Sequence, residues 1–186
     1  MRLKLLLKYI KDNNMKKKII SVFTMMFLCG IFNLSAQSVR IGSQAPDFSI
    51  ELQKDGKPSG KTVTLADYKG KALLLHFWAT WCPPCKVELP HLEKLVQKIQ
   101  SKGDNSKINF LAVCISDSQN SLTSFMKKNG YTFAGGLDAT GKIAMKYGIQ
   151  GVPTSILISP EGKVLKIHVG MMNEKLLENF VSGYDL

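Results

Sequence analysis

Two runs, KALLLHFW at residues 71–78 and INFLAVCI at 108–115, are apolar at nearly every position instead of every second one. A strand with that pattern has to be covered on both faces, which places both runs inside a layered α/β structure. Between them Leu92, Leu95, Val96 and Ile99 recur at the spacing of one helical face. Pro83 and Pro84 suit the opening positions of that helix, where a missing N–H costs nothing, and Pro90 inside the pattern predicts a kink. Farther on, the text predicts a helix over about 118–128, a short strand near 131–134 and a helix near 143–147. A strand over 154–159, a Pro160-Glu161-Gly162 turn, a strand over 163–169 and a closing helix from Asn173 to about Val181 follow. Ahead of all this, 48–52 and 62–65 read as strand pieces around a solvated loop, QKDGKPSGK, forming a lead-in hairpin. Strands alternating with helices and ending in a hairpin argue a central mixed sheet with helices on both faces.

The chain has 186 residues. Lys16-Lys17-Lys18, the apolar run Ile19 to Phe32 and the small residues ending at Ala36 have the three-part order of a secretory signal. Residues 1–36 are therefore expected to be a signal peptide, with Met15 as an alternative start, and 37–186 a single domain. The alternative is an uncleaved membrane anchor, since Ile19 to Ala36 is near the lower limit for spanning a bilayer. The formal charge of +11 belongs mostly to this leader. It holds seven basic residues and one acidic, leaving 18 against 13 in residues 37–186. A surplus of that size, with no basic cluster interleaved with aromatics, gives no case for nucleic acid.

Past the leader, the cysteines are the close pair Cys82 and Cys85 and the single Cys114, which lies in an apolar strand and is expected to be an inert core residue. A C-x-x-C at a strand–helix seam is a known mark of thioredoxin-like redox sites. Cys82 precedes the first helical turn, where unpaired N–H groups and the macrodipole favour a thiolate, and Lys86 adds positive charge, so Cys82 is expected to be the nucleophile. Cys85, one turn inward, is placed to resolve a mixed disulfide. A structural disulfide or half a zinc site is the competing reading of the pair, but for zinc His76, His91 and His168 fall at no ligand-like spacing, so no metal is expected.

FWATWCPPC with the following KVELP, the GVPT at 151–154, the SPEGKV hairpin and the opening GSQAPDF together resemble the exported thioredoxin-like thiol/disulfide oxidoreductases of the TlpA/ResA type. The likeness spans roughly residues 41 to 182. It implies a thioredoxin fold with an N-terminal β-hairpin extension, a cis Pro153 facing the cysteines, and a Val152 backbone that pairs with an extended substrate segment. It also implies substrate contacts from Trp81, Pro83 and Pro84, and a functional Glu88 one turn after Cys85 in C-x-x-E-x-P. His76 stands where thioredoxins commonly carry a buried carboxylate, and is a candidate proton relay or a hydrogen-bonded core histidine.

The resemblance further implies no cofactor beyond the Cys82–Cys85 pair. It favours reduction of disulfides in exported, periplasmic proteins, cytochrome c apoproteins among them, with electrons from a membrane thiol donor. Two other readings stay open. APDF is shared with peroxiredoxins, although Thr80 is one residue too close to Cys82 for their pattern and no proline precedes it. Sco-like copper modules use C-x-x-x-C and a distant histidine, for which His168, more simply a polar-face strand residue, is the candidate.

Overall fold

The structure, a computed structural model, describes residues 39–54 and 56–184. The expected leader, its alternative start and its apolar span lie outside these. The elements run β1 (Ser49–Lys54), β2 (Lys57–Thr64), β3 (Ala72–Trp78), α1 (Pro83–Ser101), β4 (Ile108–Ile115), α2 (Gln119–Asn129), β5 (Gly135–Asp138), α3 (Lys142–Lys146), β6 (Thr154–Ile158), β7 (Val164–Val169) and α4 (Glu174–Phe180). The strands form one seven-stranded sheet in the order β2-β1-β5-β4-β3-β6-β7. β3, β4 and β5 are parallel, and the other neighbours are antiparallel.

β3 is buried at all seven positions, because it has strands on both sides and side-chain layers on both faces. Ala72, Leu74 and Trp78 point into a core shared with Leu89, Leu92, Leu95 and Val96 of α1, Leu122 and Met126 of α2, and Leu177 next to Val181 at the C-terminal end. Leu73, Leu75 and Phe77 point the other way, onto Phe48, Ile50, Val63 and the Ile143, Ala144 and Tyr147 side of α3. The alternation is the period-2 geometry of a strand feeding two cores. Truncating a residue such as Leu74 or Leu89 to Ala is expected to cost about 2–5 kcal/mol.

The helices start and stop on local signals. Cys82, Ser118 and Asn173 are N-caps whose side chains accept from the backbone N–H three residues on, and Gly130 ends α2 at φ 67°. α1 is continuous over 19 residues with Pro90 inside it.

Two expectations are corrected. The loop QKDGKPSGK is mostly strand: Lys57 to Lys61 belong to β2, with Gln53 opposite Pro58 and Lys54 opposite Lys57. β2 is the sheet edge and exposed along most of its length, so proline, glycine and lysine carry no penalty there. The short strand expected near 131–134 lies instead at Gly135–Asp138. Its two glycines argue against a strand by propensity, yet β1 crosses so closely that a Cβ on Gly136 would sit 2.4 Å from Ile50 Cγ1 and 2.9 Å from the Glu51 carbonyl oxygen. Only glycine admits that approach.

Candidate active site

β3 ends at Trp78, and a turn closed by Cys82 N–H on the Ala79 carbonyl, 3.2 Å, brings Cys82 to the mouth of α1. Pro83 and Pro84 take the first two helical positions, which removes two of the N–H groups a helix normally presents there. The first donor left is Cys85 N–H, and it is aimed at Cys82 Sγ, 3.2 Å away. The cysteines are joined in a disulfide with Cα atoms 5.3 Å apart. Both are buried, whereas Trp81, Pro83 and Pro84 around them are exposed.

On the far side of the sulfur lies the segment entering β6. The Val152–Pro153 peptide is cis, and the Val152 carbonyl oxygen is 3.5 Å from Cys82 Sγ. In the disulfide this is a contact; in the dithiol a Cys82 S–H can donate along it. Gly170 N–H holds the Pro153 carbonyl at 2.9 Å, which ties this segment to the end of β7. Cys82 and Val152, distant in sequence, thus meet where β3 ends and β6 begins, with Trp81, Cys85 and Pro153 beside them in the chain.

Glu88 lies one turn after Cys85 and is fully buried, with no hydrogen-bond partner of ordinary geometry on either carboxylate oxygen. Burial pushes its carboxyl up to about 8, with the Met172 main chain pulling weakly the other way. His76 is also fully buried. By strand parity it shares the α1 side of β3 with Leu74 and Trp78. Its Nδ1 is 2.9 Å from Ser155 Oγ on the neighbouring β6, and its Nε2 has no partner. Burial lowers its pKa to about 3, so it is neutral.

Cys114 is free, buried and opposite Trp78 in the sheet. Burial and the charge of Asp117, whose Oδ2 is 3.7 Å from the sulfur, push this thiol up and leave it unreactive. His168 is half-buried instead of standing on a solvated face, with its ring edge on Phe180. Among the described residues no group of three His, Cys, Asp or Glu converges as a metal site.

Residues the sequence reading missed surround this core. Asp117 and Ser116 hold Thr80 and Trp81, and Glu93, buried on α1, accepts from Thr132 N–H, Thr132 Oγ1 and Gln97 Nε2. Their partners lie up to 39 residues away, and no local spacing signals such pairs.

The chain matches the AhpC/TSA family over residues 41–167. It is 35% identical over 146 residues to the thiol-disulfide oxidoreductase ResA of Bacillus subtilis (strain 168), covering 78% of this chain and 76% of that one. It is 33% identical over 142 residues to ResA of Halalkalibacterium halodurans, covering 76% of each. Among solved structures, a thiol:disulfide interchange protein DsbE from Chlorobium tepidum is 30% identical with a TM-score of 0.65, covering 76% of this chain and 95% of that one. StoA from Bacillus subtilis is 28% identical with a TM-score of 0.62, covering 74% and 98%. With Cys82 capping the helix that follows a buried central strand and Cys85 in that helix's first turn, the chain belongs to the AhpC/TSA family and, within it, to the thioredoxin-fold, ResA-like thiol-disulfide oxidoreductases.

Proposed function

We propose that the protein works outside the cytoplasm as a reductant of disulfides in exported proteins, cytochrome c apoproteins among them, and that a membrane thiol carrier returns it to the dithiol form. The observation that carries the reading is Cys82 Sγ at the mouth of α1, between the Cys85 N–H and the Val152 carbonyl. A sulfur so placed is favoured as thiolate by the helix terminus and lies beside a backbone able to pair with an extended chain. Export rests on the three-part pattern of residues 1–36, and the similar exposed lipoprotein thioredoxin of Streptococcus pneumoniae, 28% identical, is consistent with it.

The Cys82 thiolate attacks one sulfur of the substrate disulfide, forming a Cys82–substrate disulfide and releasing the other substrate sulfur as thiolate. Cys85 then loses its proton and attacks Cys82 Sγ, which forms the Cys82–Cys85 disulfide and releases the second substrate thiolate. Two electrons pass from the dithiol to the substrate, and no cofactor is needed. Glu88, one turn from Cys85 and with no hydrogen bond of ordinary geometry to either carboxylate oxygen, is the base that takes the Cys85 proton. A carboxyl held at about 8 can accept and return a proton near neutrality. His76, neutral and already bonded to Ser155, is the secondary candidate.

The test is the redox potential against glutathione. A reductant of exported disulfides is expected below about −200 mV, within the known C-x-x-C span of roughly −270 to −120 mV. A value at the oxidising end would reverse the direction. Consumption of hydrogen peroxide by the reduced protein at rates comparable to disulfide exchange would favour a thiol peroxidase instead.

A further inference from the structure

Glu88 takes a proton from Cys85 while sealed from solvent, so that proton needs a way out which the dithiol steps leave unassigned. With its pKa at about 8 the carboxyl is mostly protonated near neutrality, and it has to unload before it can serve as a base. Among the described residues, the buried side-chain nitrogens and oxygens without a partner of ordinary geometry are His76 Nε2, both Glu88 oxygens and His91 Nδ1. Folded proteins hold few such atoms, and each calls for a physical reason.

The two histidines differ in where they lead. His76 is a closed end: its Nδ1 is 2.9 Å from Ser155 Oγ, and both residues are buried. His91 follows Glu88 by three residues on α1. Side chains at that spacing are neighbours on one helix face, with Cβ atoms about 5–6 Å apart, so a carboxyl and an imidazole meet when either turns toward the other. His91 Nδ1 is buried, yet the residue as a whole is only half-buried. Cys85, Glu88 and His91 thus form a ladder that climbs from the buried sulfur to the helix surface.

The ladder ends on the flank of α1 that faces α4. One turn beyond His91, Lys94 Nζ is 3.3 Å from Glu174 Oε2, while Lys98 bonds Glu178 and lies 3.9 Å from Glu174. Two lysines and two glutamates balance, so this rim sets no uncompensated charge beside the imidazole. Met171, Met172 and Asn173, which lead into α4, add no ionisable side chain, Lys175 is exposed, and β3 adds only His76. An imidazole takes a proton at one ring nitrogen and gives one up from the other, which suits a residue that spans interior and surface.

We propose that His91 is the proton exit of the site, carrying protons between Glu88 and solvent. Cys85 S–H gives its proton to the Glu88 carboxylate, Glu88 passes it to His91 Nδ1, and His91 releases one from Nε2 to bulk water. No electrons move along this path. When the disulfide is reduced again the flow reverses, which returns a proton to Cys85 and restores the imidazole tautomer. His91 acts through Glu88, so the proposal rests on the reading of Glu88 as the base.

The experiment follows a single turnover of the reduced full chain on insulin by stopped flow in dilute buffer near pH 7, reading mixed-disulfide formation and thiol release separately. His91→Gln is expected to slow release about tenfold, less than loss of the base itself, and to leave the first attack within about twofold. His91→Ala opens the same position to solvent, and added imidazole is expected to restore its release rate, a response that lost packing would not give. On a Glu88→Gln background, His91→Gln is expected to slow release no further, because the two act in series. Unchanged release in His91→Gln, no rescue by imidazole, or further slowing on the Glu88→Gln background each overturns the exit role and leaves the Glu88 reading intact. Unchanged release in Glu88→Gln alone would remove the base and the exit with it.

Discussion

Two glutamates five residues apart on α1 have opposite surroundings. Glu93 is buried, yet Thr132 N–H, Thr132 Oγ1 and Gln97 Nε2 all donate to it. Glu88 is more deeply buried and receives no hydrogen bond of ordinary geometry. A buried carboxylate with its donors in place is a strut, here pinning the segment before β5 to the helix. A buried carboxyl short of donors is expensive to ionise, and its ionised form is therefore a stronger base toward a neighbouring thiol than an ordinary carboxylate. Hydrogen-bond accounting separates two parts of one helix: the first two turns, with the disulfide and Glu88, are poised to react, and the middle is built to stay.

That contrast can be broken at several points. The largest effect belongs at the helix mouth: Cys82→Ser is expected to abolish insulin reduction, whereas Cys85→Ser accumulates a mixed disulfide visible by non-reducing electrophoresis and mass. Residual turnover in the Cys82 variant would end the assignment of the front turn. Next comes the release step. Glu88→Gln is expected to slow release from the mixed disulfide by about 10²-fold, the lower range for a lost general base, and to leave the first attack by Cys82 largely intact. Glu93→Gln should leave both rates near wild type. Stopped-flow thiol exchange across pH reads the two glutamates side by side, and similar rate losses in both would erase the distinction.

Stability sharpens the same contrast. Glu93→Ala leaves the Thr132 donors unmatched and is expected to cost about 1–3 kcal/mol in urea unfolding. Glu88 acts through pH instead. Below its ordinary value of 4.5 the carboxyl is protonated in both the folded and the unfolded chain. Between 4.5 and about 8 the unfolded chain releases a proton that the folded chain keeps, so folding weakens as pH rises through that window and the loss is complete above it. Glu88→Gln removes this dependence, so its stability relative to wild type should rise from pH 4 to pH 9 by an amount on the order of a few kcal/mol. A flat difference would mean that water or a rearranged Met172 main chain solvates the carboxylate. The smallest effects are expected within the sheet strands, where His76→Asn, which can still bond Ser155, and Cys114→Ser should change the exchange rates by less than about twofold.

Much of the fold was legible where local chemistry decides it. The continuous apolar runs became β3 and β4, and Ser118 and Asn173 became caps. Pro83 and Pro84 opened the helix behind Cys82, as positions without N–H should. What could not be read depended on neighbours remote in sequence. Gly135 and Gly136 form a strand because Ala112 of β4 approaches the first closely and β1 the second, and Lys57 to Lys61 extend a strand because they lie on an edge with no packing to satisfy. His168 looked like a surface residue until α4 laid Phe180 against it.

The site divides along the same line. The sequence by itself determined the chemistry, two thiols one helical turn apart at a strand–helix seam with a glutamate one turn on, because spacing along a helix is local geometry. Tertiary structure alone decided the environment that gives those groups their properties. Val152 lies 70 residues from Cys82, Ser155 lies 79 from His76 and Asp117 lies 37 from Thr80. Glu88 differs from Glu93 in its depth of burial and in which donors the fold brings within reach. Reactivity depends on desolvation and on hydrogen bonds received, and both are set by contacts across the sheet that no local spacing encodes.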